Sequence, residues 1–142
     1  IYLFPYTTLS DLTLPELTRD FRGLRLWLPL HLHGVDAFRA ALDEKLDLAE
    51  YAHRELAGEP TLTVLGAPEL TTVAFQHRSG DEATAEVLDR VNAEQRVLLS
   101  STRVGGRYTG RLCILNHRTD HARVTEAITT IRRHAAWAAV TR

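Results

Sequence analysis

Apolar positions run almost unbroken through FRGLRLWLPLHLHGV, residues 21–35, where Leu24, Leu26, Trp27, Leu28, Leu30 and Leu32 leave no clean polar side. The segment follows a helix signature, with Thr13 as N-cap, Pro15 in the first turn and Glu16 closing a capping box. The pattern predicts a helix reaching about His33 and stopping at Gly34, a favourable residue just past a helix end. Pro29 interrupts it, and a mid-helix proline costs on the order of 3 kcal/mol, so a kink or local break is expected there. From Val35 to Leu56 the pattern is that of a second helix. Val35, Phe38, Leu42, Leu46 and Ala49 form its apolar stripe, and Asp43, Glu44, Asp47 and Glu50 lie mostly off it.

Beyond Gly58 and Pro60 the period changes to two. TLTVLG (61–66) and TTVAFQH (71–77) alternate like strands across a turn-rich APEL. Asp81 to about Gln95 is predicted helical, with Val87, Leu88 and Val91 inward. RVLLSST (96–102) and RYTGRLCIL (107–115) read as two more strands, joined across Val104-Gly105-Gly106. A last helix starts near Thr119 or Asp120 and buries Val124, Ile128, Ile131, Ala135 and Ala138. The order ααββαββα predicts an α+β fold, a four-stranded antiparallel sheet with helices packed on one face. A helix apolar all round must be buried all round, and one sheet covers one side of it. The first helix is therefore expected to need a partner surface that this chain does not supply.

Composition narrows the function classes. The 142 residues fit one domain, and an apolar share of 44% is enough for a real core. Nothing approaches the roughly 20 apolar residues of a membrane span. A net charge of −1 with interspersed signs gives no footprint for nucleic acid or a membrane surface. The single cysteine, Cys113, excludes an internal disulfide and fits a reducing, cytoplasmic setting. The sequence has no methionine and starts at Ile1, so it is expected to be a piece of a longer product. One lysine against sixteen arginines is read as a bias of genomic base composition.

Few residues carry candidate chemistry. Lys45 is the only lysine, but Asp43, Glu44 and Asp47 surround it in sequence and favour its ammonium form. It reads as a solvated helix-surface residue. Arg111 shares a strand face with Thr109, Cys113 and Leu115, and a guanidinium covered there wants an anion. His31 and His33 fall on different sides of a helix, and His117 and His121 straddle a strand end and a helix start. No acid or cysteine joins either pair at zinc spacing, so no metal site is expected. Ser100, Ser101 and Thr102 lack an elbow glycine and an oriented base, and read as a strand end. Gly105-Gly106 is a hairpin turn, too short to cradle a phosphate.

Taken together, Arg19, Phe21, Leu24, Arg25, Trp27 and Gly34, followed by Leu48-Ala-Glu-Tyr51, form a recognisable series. Pro68-Glu-Leu70 before TTVAFQHR, then Asn92 and VLLSSTRVGGRYTGRLCILNHRT, extend it. From about Pro15 onward the chain resembles the C-terminal region of the pyridoxal-phosphate-dependent group II amino-acid decarboxylases. Residues 1–14 match poorly and read as a lead-in, leaving 15–142 as the small C-terminal domain of a fold-type I enzyme. Asp20 departs from the pattern, which usually has a second arginine there. The resemblance implies a parent enzyme that decarboxylates an L-amino acid with pyridoxal 5′-phosphate and works as a homodimer. It places the Schiff-base lysine, the acid on the pyridine nitrogen and the phosphate-binding residues in a large domain outside this chain. Arg111 is implied to bind the substrate carboxylate or fix an active-site loop, with an ion pair to a large-domain acid as the alternative. The competing class is a free-standing α+β interaction module that docks through the Trp27 helix.

Overall fold

A computed structural model of the chain describes residues 22–140, which fall into two compact units divided between Arg39 and Ala40. The first unit contributes the beginning of helix α1, Leu24–Ala57. The predicted start at Thr13 lies outside the described residues. Helical geometry breaks at Gly34, where φ 78° and ψ 161° suit a residue without a Cβ. The break expected at Pro29 is absent: Pro29 lies inside the helix, and Gly34 alone has non-helical backbone angles. The reason is position. The N–H that Pro29 lacks would have bonded the carbonyl of Arg25, the second helical residue, so only one hydrogen bond near a helix end is lost. Leu24, Leu26, Trp27, Leu28 and Leu32 are all exposed. Trp27 stacks on His31 one turn later, with ring centroids 4.8 Å apart.

The second unit holds the rest of α1 and then β1 (Leu62–Val64), β2 (Thr72–His77), α2 (Asp81–Ala93), β3 (Ser100–Val104), β4 (Arg107–Cys113) and α3 (His121–Val140). The four strands form one antiparallel sheet in the order β1-β2-β4-β3. Alternation sends Val73, Phe75 and His77 of β2 to one face, beside Leu62 of β1 and Leu112 and Gly110 of β4. There they join a single core with Val87, Leu88 and Val91 of α2 and with Val124, Ile128, Ile131, Ala135 and Ala138 of α3. Every one of those helix positions is among the predicted inward ones. The α+β architecture is therefore the one the pattern implies.

Three expectations need correction. The buried side of α1 in this unit is Lys45, Leu48, Ala49, Ala52 and Leu56, whereas Val35, Leu42 and Leu46 of the predicted stripe are exposed. Lys45 itself is 6% exposed rather than solvated. It stands at the head of the buried i, i+3/i+4 series, so its stem packs inward and its amine must find oxygen. The Nζ donates to the carbonyl of Thr119 at 2.6 Å and to Glu44 Oε2 at 2.9 Å. Finally, β3 begins at Ser100, four residues later than predicted. Asn92 holds Leu99 from both sides, accepting from its N–H at 2.8 Å and donating to its carbonyl at 3.0 Å. Arg96 to Leu99 form the connection that Asn92 clasps rather than a paired strand.

One further contact ties helix to sheet. His77 is buried with both ring nitrogens used: Nδ1 accepts from the Ser79 N–H at 3.1 Å, and Nε2 lies 3.1 Å from the Ala135 carbonyl. An acceptor at one nitrogen and a donor at the other define one neutral tautomer. On the surface, His134 and Arg133 hold the Glu94 carboxyl below the usual carboxylate range, and Arg96 and Arg123 do the same for Glu126. No described helix is long and apolar enough to cross a membrane.

Candidate functional site

The side of the sheet away from the core carries the chemistry. Because β-strand side chains alternate, Arg111 of β4 points opposite to Gly110 and Leu112. The register sets it between Ala74 of β2 and Ser100 of β3, its direct cross-strand partners. Along β4 its neighbours on that face are Thr109 and Cys113, which pair with Thr102 and Thr72 respectively. The flanking side chains are thus a methyl, four small hydroxyls and a thiol, none of them a carboxylate.

Gly110 explains how β4 reaches this position. A Cβ at Gly110 would stand 2.8 Å from Leu88 Cδ1 and 2.8 Å from Phe75 Cζ, so the core presses directly onto the backbone beside Arg111. On the outer face Gln76 and Thr109 are both buried, and Gln76 Nε2 donates to Thr109 Oγ1 at 2.8 Å. That pair satisfies itself and leaves Arg111 without help. The Arg111 Nε is buried and has no hydrogen-bond partner, the only such side-chain atom among the described residues. A buried donor without an acceptor costs about 1–3 kcal/mol, and more when charged. The rim beside it is open: Ser100, Thr72 and Cys113 are exposed, with Cys113 Sγ 3.9 Å from Ser100 Oγ and 3.7 Å from Thr72 Oγ1. What this arrangement can do is hold an anion, with a fixed cationic fork and a nearby hydroxyl.

Other residues singled out in the sequence stand elsewhere. Ser101 pairs with Gly110 and therefore lies on the opposite face from Arg111. His31 and His33 are exposed on the first unit's helix, and the His121 ring lies 4.4 Å from that of Tyr51. No three His, Cys, Asp or Glu side chains converge on a metal position among the described residues. Ser100 is the residue whose place the sequence conceals, because only the β3–β4 register sets it against Arg111.

The sequence and the fold have counterparts. Tyrosine decarboxylase 2 of Arabidopsis thaliana is 28% identical over 128 residues, which is 85% of this chain and 24% of that protein. The aromatic-L-amino-acid decarboxylase of Bacillus atrophaeus is 30% identical over 112 residues, 73% of this chain and 23% of its own length. The chain resembles the group II pyridoxal-phosphate-dependent amino-acid decarboxylases. The crystal structure of Oryza sativa TDC with PLP and tryptamine superposes with a TM-score of 0.79 at 24% identity, over 84% of this chain and 27% of that one. At that identity the superposition establishes the shared fold. The chain spans about a quarter of the length of the relatives it matches. No protein-family model matches the sequence.

Proposed function

We propose that residues 15–142 are the C-terminal small domain of a pyridoxal-phosphate-dependent enzyme that decarboxylates an L-amino acid to an amine. In this reading the domain closes one wall of the active-site cleft and packs on a large domain elsewhere in the same protein. The parent is cytoplasmic and homodimeric. The observation that carries the reading is the buried, unpartnered Nε of Arg111 on an open sheet face. The sequence likeness to named decarboxylases supports reading the anion of that cation as the carboxylate of the amino acid. Arg111 binds it through two parallel N–H donors, which fixes the plane of the carboxylate as well as its position.

The described residues of this chain do not fit the cofactor. Lys45, the sole lysine, is buried with its amine engaged by Thr119 and Glu44, and the strands around Arg111 present side chains rather than a backbone nest for a phosphate. The cofactor, which supplies the electron sink for carboxylate loss, belongs in this reading to the large domain.

The test is Arg111→Lys in the parent enzyme. Charge is kept and the planar fork is lost. Turnover is expected to fall roughly ten- to a hundredfold, the scale of one charge-assisted contact, with folding and cofactor absorbance retained. Unchanged turnover would remove Arg111 from the site.

A further inference from the structure

We infer that Ser100 is the second donor of the Arg111 site, so that the pair takes a free small-molecule carboxylate with one oxygen on the guanidinium and the other on the Ser100 hydroxyl. The inference rests on the reading of Arg111 as a carboxylate-binding residue, and adds a residue that neither the spacing nor the resemblance points to.

Three observations carry it. First, Arg111 has an unmet need: its Nε is buried and without an acceptor. The residue as a whole is only half-buried, so a molecule on the outer face meets the rest of the guanidinium, the inner face being filled by Phe75 and Leu88. Second, the two strands flanking Arg111 differ in what they offer. Ala74 on β2 contributes a methyl and no donor, whereas Ser100 on β3 contributes a hydroxyl directly opposite Arg111. Side chains directly opposite across an antiparallel pair have Cβ atoms about 5 Å apart, a span that a carboxylate bridges between a serine Oγ and a guanidinium. Third, the hydroxyl is uncommitted. Its one hydrogen-bond contact among the described residues is with Cys113 Sγ at 3.9 Å, a weak contact at the limit of sulfur hydrogen bonding, and both residues are exposed. Thr109 Oγ1, by contrast, donates to the Arg107 carbonyl and accepts from Gln76, and Thr72 and Thr102 stand opposite Cys113 and Thr109 rather than opposite Arg111. Ser100 is thus a free donor placed opposite the unsatisfied one.

Cys113 supplies the readout. It is the only cysteine of the sequence, it is exposed, and it sits next to both Arg111 and Ser100 on the face. A carboxylate seated between them covers its thiol. The experiment measures the rate at which a neutral disulfide reagent, 4,4′-dithiodipyridine, modifies Cys113 as sodium acetate is raised against sodium chloride at constant ionic strength. Saturable slowing by acetate is expected. Ser100→Ala is expected to raise the half-protecting acetate concentration about tenfold, the worth of one hydrogen bond to a charged group, and Ser100→Thr to restore it. Arg111→Gln is expected to abolish protection, with circular dichroism confirming that each variant is folded. Protection that is lost in Arg111→Gln but unchanged in Ser100→Ala overturns the role of Ser100 and leaves the Arg111 site standing. Protection that is absent, or that survives Arg111→Gln, overturns the carboxylate reading of Arg111 itself. The same titration on the full-length parent separates sources: retained protection is the expected result for a free ligand, and loss of protection would mean that a protein carboxylate fills the site.

Discussion

At the scale of single residues, Gly110 and Arg111 show how a core and an outer sheet face are set by neighbours in the chain. Gly110 has ordinary strand geometry, so its glycine is not needed for a turn. It is needed for room, because a methyl would meet Leu88 Cδ1 and Phe75 Cζ at 2.8 Å each. Leu88 can rotate; Phe75 is fully buried and cannot move without displacing its neighbours. Gly110→Ala is therefore expected to destabilise the fold by about 2 kcal/mol, the usual scale of overpacking. A urea titration checks this through a lowered midpoint at unchanged slope. An unchanged midpoint would show slack around Phe75 that the contact distances deny. Lys45 teaches the converse lesson. Its acidic neighbours in sequence mark a solvated face, yet the helical phase of Leu48, Ala49, Ala52 and Leu56 puts it inside. Phase outranks local charge, and a long stem with one good carbonyl is enough to accommodate it.

At the scale of elements, those that bury one clean stripe were legible. The helices Asp81–Ala93 and His121–Val140 pack on the residues that the 3.6 period picks out. The elements misjudged are those whose limits depend on a side chain reaching across the fold: β3 starts late because Asn92 clasps Leu99, a contact seven residues long. Helix α1 is legible in composition, and its exposure is the surprise that composition announces. Leu24, Leu26, Trp27, Leu28 and Leu32 remain open, with Trp27 57% exposed. Contiguous apolar patches beyond a few hundred Å2 are uncommon on monomers and mark interfaces. The isolated chain is expected to bind an environment-sensitive hydrophobic dye and to self-associate with rising concentration. Replacing Trp27, Leu28 and Leu32 together with Gln should remove both behaviours while leaving the urea midpoint nearly unchanged, since exposed side chains contribute little to folding. Dye binding that survives the triple replacement would locate the sticky surface elsewhere.

At the scale of the whole molecule, the α+β order and the presence of Arg111 on a strand could be read from the sequence, whereas the residue standing opposite it could not. An arginine in an alternating strand is visible without coordinates; a serine eleven residues earlier becomes its partner only through a register that hairpin geometry sets. The same division governs what the chain can do alone. A cofactor aldehyde needs an amine that can leave its other partners, and Lys45 Nζ is 6% exposed in its residue and engaged by the Thr119 carbonyl at 2.6 Å. Freeing it would leave a part-buried carbonyl unmatched and disturb the approach to the His121–Val140 helix. A phosphate needs converging backbone N–H groups, and the open face around Arg111 presents side chains instead. The prediction is that purified chain mixed with pyridoxal phosphate develops no stoichiometric visible band, and that borohydride treatment leaves Lys45 unlabelled by peptide mass analysis. Carbon dioxide release from tyrosine, tryptophan or glutamate should equal that of the cofactor without protein. Stoichiometric labelling of Lys45 together with protein-dependent decarboxylation would place the catalytic amine in this domain and reverse its assignment as one wall of a site completed elsewhere.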